Sequence, residues 1–341
     1  MGERTGRSES AAPAVTDAAL AVEGLTVTVR STGVDLVRGV DLAVEPGRTL
    51  GLVGESGSGK SLTALAVMGL LPDTIRVGGG SVRVAGRDVV ALPESERRTV
   101  RGAQVGMVYQ EPMTALNPLM RIGPQIVEGL TAHGMAAAAA RTRAAETLER
   151  VGLPVDRAMR AYPHQLSGGM RQRAMIAVAV AQRPRVLIAD EPTTALDVTI
   201  QRQVIDLVDE LRREDGMAVV WITHDLGVVA HVADRTAVMY AGRVVEEAAT
   251  TDLFARPSHP YTAGLLRSLP AHRGAERRPL TQIGGLPPDP AHLPPGCPFA
   301  PRCPQRRDVC TTTEPPLLDR GPQRAACHVP PEKWSAWKED S

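Results

Sequence analysis

Between residues 20 and 44 apolar positions alternate with polar ones, in Leu20-Ala21-Val22, Leu25-Thr26-Val27-Thr28-Val29 and Val40-Asp41-Leu42-Ala43-Val44. A period of two predicts strands with one buried face, and Glu45-Pro46-Gly47 predicts a turn after them. Ser81-Val82-Arg83-Val84, within residues 78–90, repeats the pattern, so a small antiparallel sheet is expected. Four other stretches are almost continuously apolar: residues 49–53, 105–109, 186–189 and 218–223. Such runs are expected of strands covered on both faces, as in a parallel sheet. From 110 to 185 the pattern turns helical, over 123–133, over 136–151 and from about Ser167 onward. The expectation is an α/β domain over residues 19–255, with a helical subdomain inserted at about 111–165. Residues 1–18, rich in Ser, Ala, Glu and Arg without periodicity, are expected to be disordered. From about Pro257 the chain becomes Pro-rich, and 256–341 is read as a C-terminal extension.

Each of the four apolar runs stops at polar chemistry. The first feeds Gly54-Glu55-Ser56-Gly57-Ser58-Gly59-Lys60-Ser61-Leu62, the second Gln110, the third Asp190-Glu191 and the fourth His224. Ligands of open parallel sheets sit at the carboxyl ends of the strands, so this fourfold coincidence predicts one site. The glycine- and serine-rich run between strand and helix is a phosphate-binding loop. Its backbone N–H groups can cradle an anion, Lys60 can reach the β- and γ-phosphates, and the Ser61 hydroxyl can ligate Mg²⁺. Among 39 basic residues only Lys60, Lys333 and Lys338 are lysines, so Arg is the default cation of this chain. A compact ammonium between phosphates does what a planar guanidinium cannot.

Composition removes other classes. Net charge is +1 and aromatic residues are 3% of the chain, which leaves neither the basic footprint nor the stacking surface expected of a nucleic-acid binder. No apolar run approaches the roughly 18 residues needed to span a bilayer, and Gly2–Ser10 lacks a signal-peptide core. Any membrane work is therefore expected to run through another subunit.

Gly54 to Ser61, Gln110, Leu166-Ser167-Gly168-Gly169-Met170, Val186 to Glu191, Ala195-Leu196-Asp197 and His224, in this order, resemble the motif set of an ABC-type ATPase. The Leu-Ser-Gly-Gly element discriminates, since many nucleotidases share the phosphate loop. The resemblance implies a RecA-like, mostly parallel sheet core, an antiparallel β subdomain and an inserted helical subdomain. It also implies ATP with Mg²⁺ as ligands. Asp190 would hold Mg²⁺ through water, and Glu191 would accept the proton of the attacking water. His224 would contact the γ-phosphate or orient Glu191, and Gln110 would touch Mg²⁺ and water. Ser167, Gly168 and Gly169 open a helix whose free N–H groups can bind an anion. In the family that surface meets the γ-phosphate held by an opposite subunit, so a second ABC ATPase, similar or identical, is implied. Taken singly, Asp190-Glu191 also reads as a solvated strand end, His224 as a loop histidine and Gln110 as surface. Asp197 reads equally as an interface bridge and as the cap of the helix beginning Val198-Thr199. One departure stands out: no Phe, Tyr or Trp precedes Tyr109, so adenine is expected on an aliphatic or arginine side chain such as Val34 or Arg30.

Two further stretches narrow the resemblance. Tyr109-Gln110-Glu111-Pro112-Met113-Thr114-Ala115-Leu116-Asn117-Pro118 and Ser258-His259-Pro260-Tyr261-Thr262, followed by Leu265-Leu266, resemble the ATPases of oligopeptide, dipeptide and nickel permeases. Pro260 fits a first helical position, and Tyr261, Leu265 and Leu266 share a helical face. The resemblance implies a peripheral subunit at the cytoplasmic face of the cell membrane. Its partners would be two transmembrane permease subunits and an extracytoplasmic substrate-binding protein. A non-transport ABC ATPase acting on nucleic acid or ribosomes, and a regulatory subunit with weak hydrolysis, are the alternatives. Cys297, Cys303, Cys310 and Cys327 all lie in the last 45 residues. Their spacing lacks the short pair usual for zinc. A 4Fe-4S cluster, known in related ATPases, is one reading; Zn²⁺ and unmetallated thiols are the others.

Overall fold

The computed structural model describes residues 18–194, 196–269 and 283–334. The expectation for the N-terminal tail concerns residues outside this set, Ala18 apart. Among the described residues the strands are β1 (Leu20–Val29), β2 (Asp35–Val44), β3 (Thr49–Val53), β4 (Ile75–Val84), β5 (Arg87–Asp88), β6 (Val105–Val108), β7 (Val186–Asp190), β8 (Ala218–Thr223), β9 (Arg235–Tyr240), β10 (Arg243–Ala249), β11 (Leu318–Arg320) and β12 (Gln323–Ala325). They form two sheets. The smaller is antiparallel, in the order β2-β1-β4-β5. The larger runs β11-β12-β10-β9-β3-β8-β7-β6. Its β6, β7, β8, β3 and β9 are mutually parallel, and β10, β12 and β11 continue it antiparallel.

The four apolar runs are β3, β6, β7 and β8, buried along their whole length. Successive side chains of a strand point to opposite faces, and here they feed two different cores. Leu187, Ala189, Val219 and Trp221 pack with the inserted helices. Val186, Ile188, Val220 and Ile222 pack with Val27, Val37 and Val82 of the antiparallel sheet. Fully burying each valine, leucine or isoleucine among them contributes about 1.5–3 kcal/mol, which is why these runs cannot tolerate a polar interior position. In the inserted segment, helices Ile122–Ala132 and Ala137–Arg150 bury Ile122, Ile126 and Leu130, and Ala140, Ala144 and Leu148, respectively. A spacing of four puts each trio on one face, and the two faces meet.

The extension shares the main sheet. β12 pairs with β10 through Glu246↔Ala325 and Glu247↔Arg324. Helix Pro260–Arg267 buries Tyr261 against Tyr240 and Phe299, with ring centroids 4.6–5.4 Å apart, and Leu265 and Leu266 pack into the same core. Glu246 of β10 is completely buried, yet its carboxylate accepts from the backbone N–H groups of Ser258 (2.6 Å) and His259 (2.9 Å). The His259 Nδ1 accepts from Tyr261 N (3.0 Å) and so caps the following helix. Burial pushes the Glu246 carboxyl up to about 7 and the His259 imidazole down to about 3.

These two shifts oppose each other. A carboxyl raised in the folded state contributes stability that is complete below its ordinary value of 4.5 and is lost as pH rises through about 7. A histidine lowered in the folded state contributes stability that is complete above 6.5 and is lost as pH falls toward 3. Relative to the wild type, Glu246→Gln is expected to lose thermal stability on going from pH 6.5 to 4.5, and His259→Asn on going from pH 4.5 to 6.5. Each slope is at most about 1.4 kcal/mol per pH unit. Melting curves across that range check it; variants whose curves run parallel to the wild type would contradict the assignment.

Candidate nucleotide site

The loop after β3 is shaped by two glycines. Gly54 has φ 153°, and a Cβ there would stand 2.2 Å from the Met239 carbonyl oxygen, so no side chain fits. Gly59 has φ 103°, in the left-handed region, and starts helix Lys60–Met68 without a side-chain cap. The N–H groups of Lys60, Ser61 and Leu62 at that helix start therefore have no intrahelical acceptor and are free for an anion. The Lys60 side chain is buried and curls back over the loop, donating to Gly54 O (2.7 Å), Glu55 O (2.9 Å) and Ser58 Oγ (3.4 Å). Burial lowers its pKa, while the nearby carboxylates of Glu191, Asp190 and Glu55 act in the opposite direction. Ser56 and Gly57 complete the turn between them.

Asp190, the last residue of β7, accepts from the Ser61 hydroxyl at 3.1 Å. Burial pushes its carboxyl up, against that hydrogen bond. Glu191 follows with φ 47°, a conformation that costs a non-glycine residue about 1–2 kcal/mol. Its N–H donates to Ile222 O (2.9 Å), which pins the strained residue to β8. Three side chains hold its carboxylate. Oε2 accepts from Gln110 Nε2 (3.2 Å) and Thr194 Oγ1 (2.9 Å), and Oε1 lies 3.2 Å from His224 Nδ1. Lys60, Ser61, Asp190, Glu191, Gln110 and His224, far apart in sequence, are thus brought to one edge of the sheet. Thr194 belongs to the same cluster and was not singled out from sequence. Its signal was a hydroxyl three residues beyond a strand-end acid.

The Ser167 hydroxyl caps helix Gly168–Val180, accepting from Met170 N at 3.4 Å. Gly169 lies against Ile200, near the start of the next helix. Asp197 caps that helix, Val198–Asp215, accepting from Thr199 N (3.1 Å) and Ile200 N (3.0 Å), so the cap reading holds for its side chain. Leu36 and Val37 flank Gly59. Arg30, one of the adenine candidates, instead lines a groove with Ala66, Gly69 and Arg97 toward the far end of helix Lys60–Met68.

Cys297, Cys303, Cys310 and Cys327 line one small cavity with His259, Phe299 and His328. Burial pushes the Cys297 thiol up to about 11 and Cys303 up to about 12, and raises Cys327 as well. Among the described residues no group of three or more His, Cys, Asp or Glu is arranged to hold a metal ion. This bears on the 4Fe-4S and the zinc readings alike, since neither has its donors drawn in around one centre, which for a zinc ion means about 2.0–2.3 Å.

Two family models match the chain: ABC transporter over residues 37–194, and the C-terminal region of oligopeptide/dipeptide transporters over 245–310. The oligopeptide transport ATP-binding protein OppD of Salmonella typhimurium is 48% identical over 329 residues, covering 94% of this chain and 97% of that protein. The chain belongs to the ABC transporter family. OppD of Mycobacterium tuberculosis is 51% identical over 314 residues, which are 90% of this chain; the chain spans about half, 51%, of that longer relative. Among solved structures this ABC chain resembles the dimeric bacterial ABC transporter cassette MJ0796, at a TM-score of 0.60 and 29% identity. That match covers 68% of this chain and 98% of the cassette, so the ABC ATPase fold expected from the sequence is the fold observed.

The position of the Lys60 ammonium yields a test of shape against charge. Lys60→Arg keeps the cation and replaces a compact group by a longer, planar fork at a buried position over the loop. ATP affinity is expected to fall by more than about tenfold, a loss of about 1.4 kcal/mol or more, in equilibrium titrations with a fluorescent ATP analogue. Undiminished binding would show that only charge matters.

Proposed function

We propose that this chain is the ATP-binding and ATP-hydrolysing subunit of an ABC importer, energising uptake of di- or oligopeptides, or of nickel, through partner permease subunits. The observation that carries the reading is the Glu191 carboxylate, held by Gln110, Thr194 and His224 beside the Lys60 loop and the Ser61–Asp190 pair. The match of residues 245–310 to the C-terminal region of oligopeptide/dipeptide transporters favours peptide uptake over a non-transport role.

In this mechanism Gly54, Glu55, Ser56, Gly57, Ser58, Gly59 and Leu62 contribute the wall around the phosphates, and Lys60 turns from the loop carbonyls to the β- and γ-phosphates. Ser61 and Asp190, already within hydrogen-bond distance, and Gln110 would hold Mg²⁺, which supplies neutralising charge to the phosphates. Glu191 takes the proton of the attacking water. His224 and Gln110, each 3.2 Å from its carboxylate, fix its direction. The Ser167–Gly169 turn offers its helix N-terminus to the γ-phosphate on a second ABC ATPase subunit. The dimeric cassette among the structural neighbours supports such a pair.

No helix among the described residues is long and apolar enough to cross a membrane. In this reading two transmembrane permeases hold the subunit at the cytoplasmic face of the cell membrane, and an extracytoplasmic binding protein delivers cargo. Met113 and Leu119, exposed in the segment that follows Gln110, suit the permease contact. The four cysteines are assigned to a 4Fe-4S cluster with a structural role. Support comes from their convergence on one cavity and from a donor set of four thiols, the set such clusters use.

Two measurements test this function. Glu191→Gln is expected to lower ATP turnover by about 10²–10⁴-fold while MgATP binding and ATP-driven pairing of subunits persist; equal turnover refutes the base. Anaerobically purified protein is expected to contain iron and acid-labile sulfide, and to lose both in Cys303→Ser. Iron-free wild-type protein removes the cluster from the account.

A further inference from the structure

The phosphate loop carries a carboxylate of its own, and the extension supplies its counter-ion. Glu55 is the second residue of the loop. Its two carboxylate oxygens accept from Arg302 in a two-pronged pair, Nη1 to Oε2 at 2.6 Å and Nη2 to Oε1 at 2.9 Å. The arginine comes from 247 residues further along the chain and is only 5% exposed. Its guanidinium is fixed on every side. Nε donates to Gly284 O (2.9 Å), Nη1 also to Tyr240 Oη (3.3 Å) and Nη2 also to Ile283 O (3.4 Å), and the group lies over the rings of Tyr240 and Phe299. The Glu55 N–H is turned the same way, donating to Tyr261 Oη at 2.8 Å. One residue of a phosphate-binding loop is thus held, by backbone and side chain, by two residues outside the loop, Tyr261 and Arg302.

We propose that Arg302 is a positioning residue for the nucleotide site: it neutralises the Glu55 carboxylate, so that ATP binds a loop with no unpaired negative charge. The geometry gives this role a physical basis. A loop that receives a triphosphate gains nothing from a carboxylate, and a free one repels the ligand through a low-dielectric wall. Two parallel charge-assisted bonds to a pre-organised guanidinium cancel that repulsion and hold the side chain away from the phosphates. The charge of Glu55 is also felt by the Lys60 ammonium, so the two sites are electrically in contact. The role rests on the nucleotide reading above and adds to it that the extension is part of the binding electrostatics.

The sign of the effect separates this role from a mere staple. Titrations with a fluorescent ATP analogue on the full chain are expected to show about tenfold weaker binding for Arg302→Gln, because Glu55 is left bare. Glu55→Gln, which leaves the arginine charge unopposed, is expected to bind several-fold more tightly than the wild type. The double variant should return to within about threefold of wild type, and Arg302→Lys should bind nearer to wild type than Arg302→Gln does. The loss in Arg302→Gln should shrink from ATP to ADP to AMP. A purely structural staple predicts instead that all four variants weaken binding together and that the double variant is no better than Arg302→Gln; that pattern overturns the proposal. Should Arg302→Gln fail to fold, Glu55→Gln and the double variant carry the same sign test, and weaker binding by Glu55→Gln overturns it. A wild type that binds no ATP would sink the nucleotide reading itself, a distinct outcome.

Discussion

The hydrogen-bond register between parallel strands is the constraint on which the site depends. Val53 stands opposite Thr223, Ile222 opposite Asp190, and Ala189 opposite Val108, so four strands end almost level. A one-residue slip of β7 would send Asp190 to the opposite face and exchange the two cores that Leu187 and Ile188 feed. The register is thus enforced by burial on both faces of the sheet rather than by anything at the site. Because it is enforced, Ser61 reaches Asp190, and Gln110 and His224 approach Glu191 from either side without a flexible loop having to find them.

Placing the last residue is what the register alone does not do. Asp190 is still in strand geometry, and a strand would carry the next side chain to the other face. The left-handed backbone of Glu191, tied to Ile222, bends the chain at that point so that consecutive acids can serve different partners. Asp190 faces the loop helix; Glu191 faces Gln110, Thr194 and His224. The strain is local, about 1–2 kcal/mol, and small against the burial of β7 and β8 that holds both ends of the bend in place.

Much of this was legible in the sequence, and the reasons for the exceptions are physical. Continuous apolar runs ending in polar residues identified β3, β6, β7 and β8 because burial on both faces leaves no polar position inside the strand. β9 and β10 were not recognised. β10 reads Arg243-Val-Val-Glu-Glu-Ala-Ala249, and two adjacent glutamates suggest a solvated surface. Glu246 is nonetheless buried, because Ser258 and His259, twelve and thirteen residues later, supply its hydrogen bonds, and Glu247 pairs with Arg235 and Arg324. Thr194 and the Arg302–Glu55 pair escaped for a related reason. Their meaning lies in a partner that no local pattern announces, and one arginine among many in an arginine-rich chain carries no mark of its own.

Charge balance around the loop ties these observations together. Before any nucleotide arrives, one buried ammonium, Lys60, already faces the carboxylates of Glu191, Asp190 and Glu55. A triphosphate adds several more negative charges to a site with one cation. Two of the three carboxylates have a use in the proposed chemistry, one toward the metal and one toward water; Glu55 has none. It is also the one carboxylate of the three that meets a guanidinium, on an element that packs its Phe299 against Tyr240 and Tyr261 and its thiols around a cavity just behind. The extension is therefore more than an added marker of subfamily. By pairing β12 with β10 and setting Arg302 against Glu55, it joins the far end of the chain to the charge on the loop after β3.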